Sequence, residues 1–199
     1  MATPLRILIA EDEALNALAL RSQLEALGHC IVGPARNGRE AVDLVTRQAV
    51  DLAILDIRMP ELTGLEAAEQ IVRTRPIPII LLTGFGEPEL ASLAASAPVF
   101  HYLVKPISLE DLVPAIGVAC SRFKEWQAFR ADAERLRRKI EDRQLLDRAK
   151  AVLMEVQGLS EHDAYRLLQQ ESQRRSLPMV EIARNLLMAD SVLRDTTAL

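Results

Sequence analysis

Five short apolar runs punctuate the first 121 residues: Leu5 to Ala10, Cys30 to Val32, Leu52 to Leu55, Ile77 to Leu82 and Phe100 to Val104. Between them lie stretches with helical spacing, at about Glu13 to Leu27, Arg39 to Arg47, Gly64 to Arg73 and Glu87 to Ala95. The central runs are apolar throughout instead of alternating, as expected of strands covered on both faces. Five strands interleaved with helices predict an α/β domain, a (βα)5 doubly wound parallel sheet, over residues 1–121.

After the fifth run the pattern changes. Ser108 is a candidate N-cap, and beyond Pro114 there is no proline until Pro178. From Ile116 to Val156 the chain is rich in Ala, Leu, Arg, Glu and Lys, with Gly117 as the one breaker, which predicts a long helical connector. Within it Trp126, Phe129, Ala133, Leu136 and Ile140 follow the 3-4-3-4 spacing of a coiled-coil seam, and the next seam position is Arg143. Three of the seven aromatics (Phe123, Trp126, Phe129) fall in this stretch, and packing against a second copy is favoured over packing back on the first domain. Residues 122–145 form the connector. Gly158 ends the long helix, Ser160 with Asp163 resembles a capping box, a second helix runs to about Arg175, and Pro178 opens a third with Val180, Ala183, Leu186 and Leu187 on one face. The tail, 146–199, therefore reads as a small three-helix all-α domain.

With 199 residues, 49% hydrophobic and 26% charged, the chain is neither disordered nor collagen-like. Cys30 and Cys120 are too few for a disulfide framework and fit a reducing, cytoplasmic setting. The longest uncharged stretch, Leu90 to Val104, is 15 residues and too short to span a membrane. The net charge of −4 divides unevenly: 9 Lys/Arg against 15 Asp/Glu up to residue 121, and 15 against 13 beyond it. An acidic front at −6 and a basic back at +2 point to two modules with different partners.

The polar residues of the first module fall just past strand ends. Glu11 and Asp12 follow the first run, Asp56 the third, Thr83 the fourth and Lys105 the fifth. In an open α/β sheet those positions converge on one crevice, which then holds three carboxylates, a hydroxyl and an ammonium. Carboxylates gathered this closely repel unless a cation sits among them, and hard oxygen ligands suit Mg²⁺. Each residue alone could be an ordinary loop capper; five of matching type at four strand ends are not.

These residues resemble the receiver domain of two-component response regulators. The resemblance covers about residues 4 to 121 and rests on Glu11-Asp12, on Asp56-Ile57-Arg58-Met59-Pro60 with Gly64, on Leu82-Thr83-Gly84 and on Tyr102-Leu103-Val104-Lys105-Pro106. It implies a CheY-like fold, with Asp56 accepting a phosphoryl group from a sensor histidine kinase and Mg²⁺ held by Glu11, Asp12 and Asp56. It further implies that Thr83 and Lys105 bind the phosphoryl oxygens and that Tyr102 changes rotamer on activation. Phosphatases of the haloacid-dehalogenase type also use an Asp nucleophile but want a second Asp two residues on, where Arg58 stands.

The tail resembles the ANTAR module of transcription antitermination regulators, on Ala149-Lys150 with Leu153-Met154, Gly158-Leu159-Ser160-Glu161, Ala164-Tyr165 with Leu167-Leu168, and Leu177 with Ala183. That resemblance implies a three-helix unit binding RNA stem-loops in nascent transcripts. Loop bases stack on aromatics and phosphates take basic side chains, so the candidates are Tyr165 with Lys150, Arg166, Arg174 and Arg175. The expected protein is a phosphorylation-dependent antiterminator, homodimeric when phosphorylated through Trp126, Phe129, Leu136 and Ile140, and not a metabolic enzyme. Two other outputs remain: a DNA-binding helix-turn-helix, for which the third helix offers only Arg184 and Asn185 as base readers, and a protein-docking tail.

Overall fold

The computed structural model describes residues 3–84 and 99–197. The helix expected at Glu87 to Ala95 lies outside the described residues. The described chain runs β1 (Arg6–Ala10), α1 (Ala14–Ala26), β2 (Cys30–Ala35), α2 (Gly38–Arg47), β3 (Leu52–Asp56), α3 (Gly64–Thr74), β4 (Ile79–Thr83), β5 (His101–Val104), α4 (Leu109–Gln157), α5 (Glu161–Arg175) and α6 (Met179–Thr197). It divides into two compact units, Met1–Gln127 and Ala128–Leu199.

In the first unit the five strands are all parallel, in the order β2-β1-β3-β4-β5. Every residue of β3 and β4 is buried, which is why their sequences do not alternate. Successive side chains nevertheless point to opposite faces. Leu8, Ala53, Leu55, Ile79 and Leu81 pack with Ala41, Val45, Ala67 and Ile71 of α2 and α3. Their neighbours Ile7, Ile9, Ile54, Ile80 and Leu82 pack with Leu20 and Leu24 of α1 and with Leu112, Ile116, Ala119 and Phe123 of α4. The helix starts follow local chemistry: Asn37 accepts from the Glu40 N–H, and Thr63 and Glu66 form a reciprocal capping box.

The long helix begins at Leu109, directly after the candidate N-cap Ser108. Asp111 accepts hydrogen bonds from the Ser108 amide (3.0 Å) and hydroxyl (2.6 Å), and the helix runs from Leu109 straight through Pro114. An internal proline costs roughly 3 kcal/mol. Burying Leu112, Ala115, Ile116, Ala119 and Phe123 against the sheet offsets it.

The connector expectation needs correction at its first aromatics. Phe123 is buried, and Trp126, half-buried, packs on both core layers of the first unit; their rings meet Phe100 at 5.2 and 5.8 Å. These side chains belong to the receiving sheet, so Trp126 is not a free seam position, and the first unit extends past residue 121 to include them. Phe129, Leu136 and Ile140 stay on the surface, Phe129 at 77% exposure.

The second unit has a small core: Ala149 and Leu153 from α4, Ala164 and Leu168 from α5, Ile182 and Ala183 from α6. Gly158, at φ +67°, supplies the left-handed residue that ends α4, its N–H bonded to the Met154 carbonyl. Among the described residues no helix is long and apolar enough to cross a membrane.

Candidate functional site

The strand order reverses between β1 and β3, and the crevice beyond their carboxyl ends is where such sheets place a ligand. The register brings the expected residues there. Asp56 is the last residue of β3 and Thr83 the last of β4; the amide of Lys105 donates to the Thr83 carbonyl at 2.8 Å, fixing Lys105 beyond β5. Glu11 is tied in by its own amide, which donates to the Ala35 carbonyl at 3.0 Å.

Glu11, Asp56 and Thr83 are buried, while Asp12 is exposed at the rim. Carboxylate oxygens of Glu11, Asp12 and Asp56 lie within 4.8 Å of one another. Lys105 bridges two of them, its Nζ 2.7 Å from Glu11 Oε2 and 2.9 Å from Asp56 Oδ2. Three carboxylates against one ammonium leave a formal −2, the charge a divalent cation would cancel, and the donors are all hard oxygens. The residues fit Mg²⁺.

Burial pushes the Asp56 carboxyl above its usual range; the hydrogen bond from Lys105 pulls the other way and the charge of Glu11 adds to the rise. Burial alone would lower Lys105, but its hydrogen bonds to Glu11 and Asp56 outweigh it and the ammonium is held above its ordinary value.

Thr83 directs its hydroxyl to the Gly84 carbonyl at 3.2 Å. Tyr102 lies on β5, packed against the layer that α2 and α3 cover. Its hydroxyl is buried and makes no hydrogen bond among the described residues, and burial raises its pKa.

Sequence reasoning marked Gly64 within the motif without its physical reason, and missed a cavity beside the cluster. Gly64, at the start of α3, would drive a Cβ to 2.0 Å from the Asp56 carbonyl oxygen, so only glycine lets α3 close over the backbone of Asp56. An open cavity of about 390 Å³, lined by Glu11, Asn16, Gln23, Lys105 and Ile107 among others, adjoins the cluster. Glycine enrichment after a strand end hints at the first; nothing in the sequence signals the second.

In the second unit the candidate RNA contacts are scattered among ion pairs. Lys150 is pinned between Asp147 (2.8 Å) and Glu161 (2.7 Å), with its side chain only 16% exposed. Arg174 and Arg175 share Glu171 at 2.8 and 3.0 Å. Arg166 meets His162, and Tyr165 is 43% exposed. Of the proposed base readers of α6, Arg184 is paired with Glu181. A groove of about 440 Å³ between α4, α5 and α6 is floored by Leu153, Leu168 and Ile182.

Comparison with known proteins gives two family matches: the response regulator receiver domain over residues 7–117 and the ANTAR domain over residues 134–187. The transcriptional regulatory protein PdtaR of Mycobacterium tuberculosis is 40% identical over 195 residues, covering 98% of this chain and 95% of that one. Among solved structures, the signal receiver domain of a modulated diguanylate cyclase from Desulfovibrio desulfuricans is 34% identical, with a TM-score of 0.57 over 61% of this chain and 98% of its own. The receiver domain of a sensor histidine kinase from Pseudomonas aeruginosa is 29% identical, with a TM-score of 0.51 over 55% of this chain and 92% of its own; that structure has a magnesium ion coordinated in its active site cleft.

Proposed function

We propose, for a chain that belongs to the response regulators and joins a receiver domain to an ANTAR domain, that Asp56 is a phosphoacceptor whose modification switches an RNA-binding output. The observation that carries this reading is the single ammonium of Lys105 shared by Glu11 and Asp56 at the sheet's switch point. Asp56, a buried carboxylate under repulsion from Glu11, attacks the phosphorus of a phosphohistidine on the partner kinase. The P–N bond breaks, the electron pair leaves with the imidazole nitrogen, and an acyl phosphate remains on Asp56.

Mg²⁺, held by Glu11, Asp12 and Asp56, would neutralise charge on the transferring group. Once phosphorylated, Asp56 no longer offers the oxygen that Lys105 held, and the ammonium turns to the phosphoryl oxygens. Thr83 swings its hydroxyl from the Gly84 carbonyl to the same group, and Tyr102 follows into the space released.

The output reading is transcription antitermination by a homodimer. Phe129, Leu136 and Ile140 present an apolar stripe to a second copy, and Tyr165 offers a half-exposed ring for a loop base. Arg166, Arg174, Arg175 and Lys150 serve the phosphates by exchanging their present partners. Labelling with a small phosphodonor tests the switch: the wild type should take up one phosphoryl group and Asp56→Asn none, and labelled Asp56→Asn would sink the assignment. Sedimentation should show phosphorylated protein as a dimer; a monomer with and without a phosphoryl analogue would remove dimerisation from the mechanism.

A further inference from the structure

In the second unit most of the cations that could meet a polyanion are already satisfied. Arg135 is paired with Asp132, Arg137 with Glu141, Lys150 with Asp147 and Glu161, and Arg174 and Arg175 with Glu171. To reach a phosphate each must surrender a carboxylate, so the net gain is small. Arg138 and Lys139 are different. Both are exposed, and among the described residues neither makes a hydrogen bond or an ion pair. Arg148 shares that condition but stands about half a turn round the helix from Lys139.

We propose that the face of α4 around Arg138 and Lys139 is a phosphate grip for the RNA bound by this unit, separate from the ANTAR positions on α5. The inference rests on the reading that the second unit binds RNA. Arg135, Arg138 and Lys139 fall within about one helical turn and edge a shallow depression of about 310 Å³ over the small side chain of Ala131. Glu134 and Asp142 are its acidic members; Glu134 already accepts from Arg130 at 3.2 Å, and the depression keeps a positive balance. An unpaired cation releases counterions to a phosphate without breaking anything first, and here two such cations are adjacent.

The grip is compatible with a dimer. Arg138 stands two residues from both Leu136 and Ile140, about 160° round the helix from each. A second copy on the apolar stripe therefore leaves Arg138 open, with Lys139 at the flank of the stripe about 60° from Leu136, and a dimer carries two such grips for one RNA. Both residues lie within the segment matched by the ANTAR family, 134–187. A phosphodiester contact carries no sequence information, so the grip positions the RNA while α5 reads it.

The test is the salt dependence of binding to a synthetic two-hairpin RNA, using the full-length phosphorylated protein. R138Q/K139Q should weaken binding roughly tenfold at low salt and flatten the slope of log affinity against log salt by about 1.4 to 1.8. The charge-matched double variant R39Q/R47Q, in the first unit, should behave as wild type. Sedimentation should show the same assembly for both variants. A wild-type slope in R138Q/K139Q overturns the grip and leaves the RNA reading standing. Wild-type protein that retains no hairpin RNA at low salt overturns the RNA reading and the grip with it. If duplex DNA of matched length loses the same affinity and slope, the face is a general polyanion site and the commitment to RNA is overturned.

Discussion

The two units hold their charges in opposite ways. In the first, Glu11 and Asp56 are buried and depend on one ammonium that reaches both. In the second, most pairs lie on the surface: the side chain of Arg174 is 68% exposed and that of Arg175 54%. A buried cluster stores free energy that an added charge can redirect, because its carboxylates outnumber the one ammonium that compensates them in a poorly screened site. Exposed pairs store almost none and exchange partners readily. A switch needs the first arrangement; a surface that trades carboxylates for phosphates needs the second.

The sharpest way to break this contrast is Lys105→Ala. With a chelator present it should destabilise the first unit by roughly 3–5 kcal/mol in urea unfolding, and added Mg²⁺ should recover part of the loss. Wild-type stability under chelation would mean that the cluster is not coupled to folding.

Next in size is Leu168→Ala. It should cost the second unit about 3 kcal/mol, because so few side chains share its core. Hydrogen exchange should quicken across α5 while phosphodonor labelling of Asp56 continues; loss of labelling would show that the units do not fold separately.

Asp56→Asn sharpens the first side of the contrast. The carboxyl of Asp56 is raised in the folded protein above 3.8, so its contribution to stability is fully present below 3.8 and is lost as pH rises through the raised value. The variant should therefore melt above the wild type at neutral pH, and the two should converge as pH falls toward 3.8. A gain that persists in acid would point to packing instead of ionisation.

Glu171→Gln is the smallest, changing stability by less than about 1 kcal/mol despite removing two pairs. It should also tighten RNA binding at low salt by freeing Arg174 and Arg175; a large loss of stability would place a structural charge in the second unit after all.

The first unit was largely legible from sequence because its logic is periodic. Unbroken apolar runs mark strands covered on two sides, and the residue after each run must then stand at the crevice, so Glu11, Asp56, Thr83 and Lys105 could be aligned without knowing a single contact. The connector was less legible. The spacing of Trp126, Phe129, Leu136 and Ile140 describes one face of a helix but not what covers it, and Phe100, the neighbour that claims Phe123 and Trp126, lies 23 residues before Phe123, just ahead of β5. The helix start was legible at Ser108, directly before Leu109, whereas its passage through Pro114 depends on a buried face that only the sheet provides. In the tail the basic residues were visible, but whether each is paired depends on carboxylates a turn away or, for Lys150, on Glu161 across the Gly158 turn.

The closeness of Gly64 to Asp56 has a consequence for what a single substitution can do. The amide of Gly64 donates to the Ile57 carbonyl at 3.0 Å, and its missing side chain lets α3 sit against the backbone of Asp56. Any larger residue there must push α3 off the end of β3, so one added methyl group would disturb the crevice while every carboxylate in it stayed in the sequence.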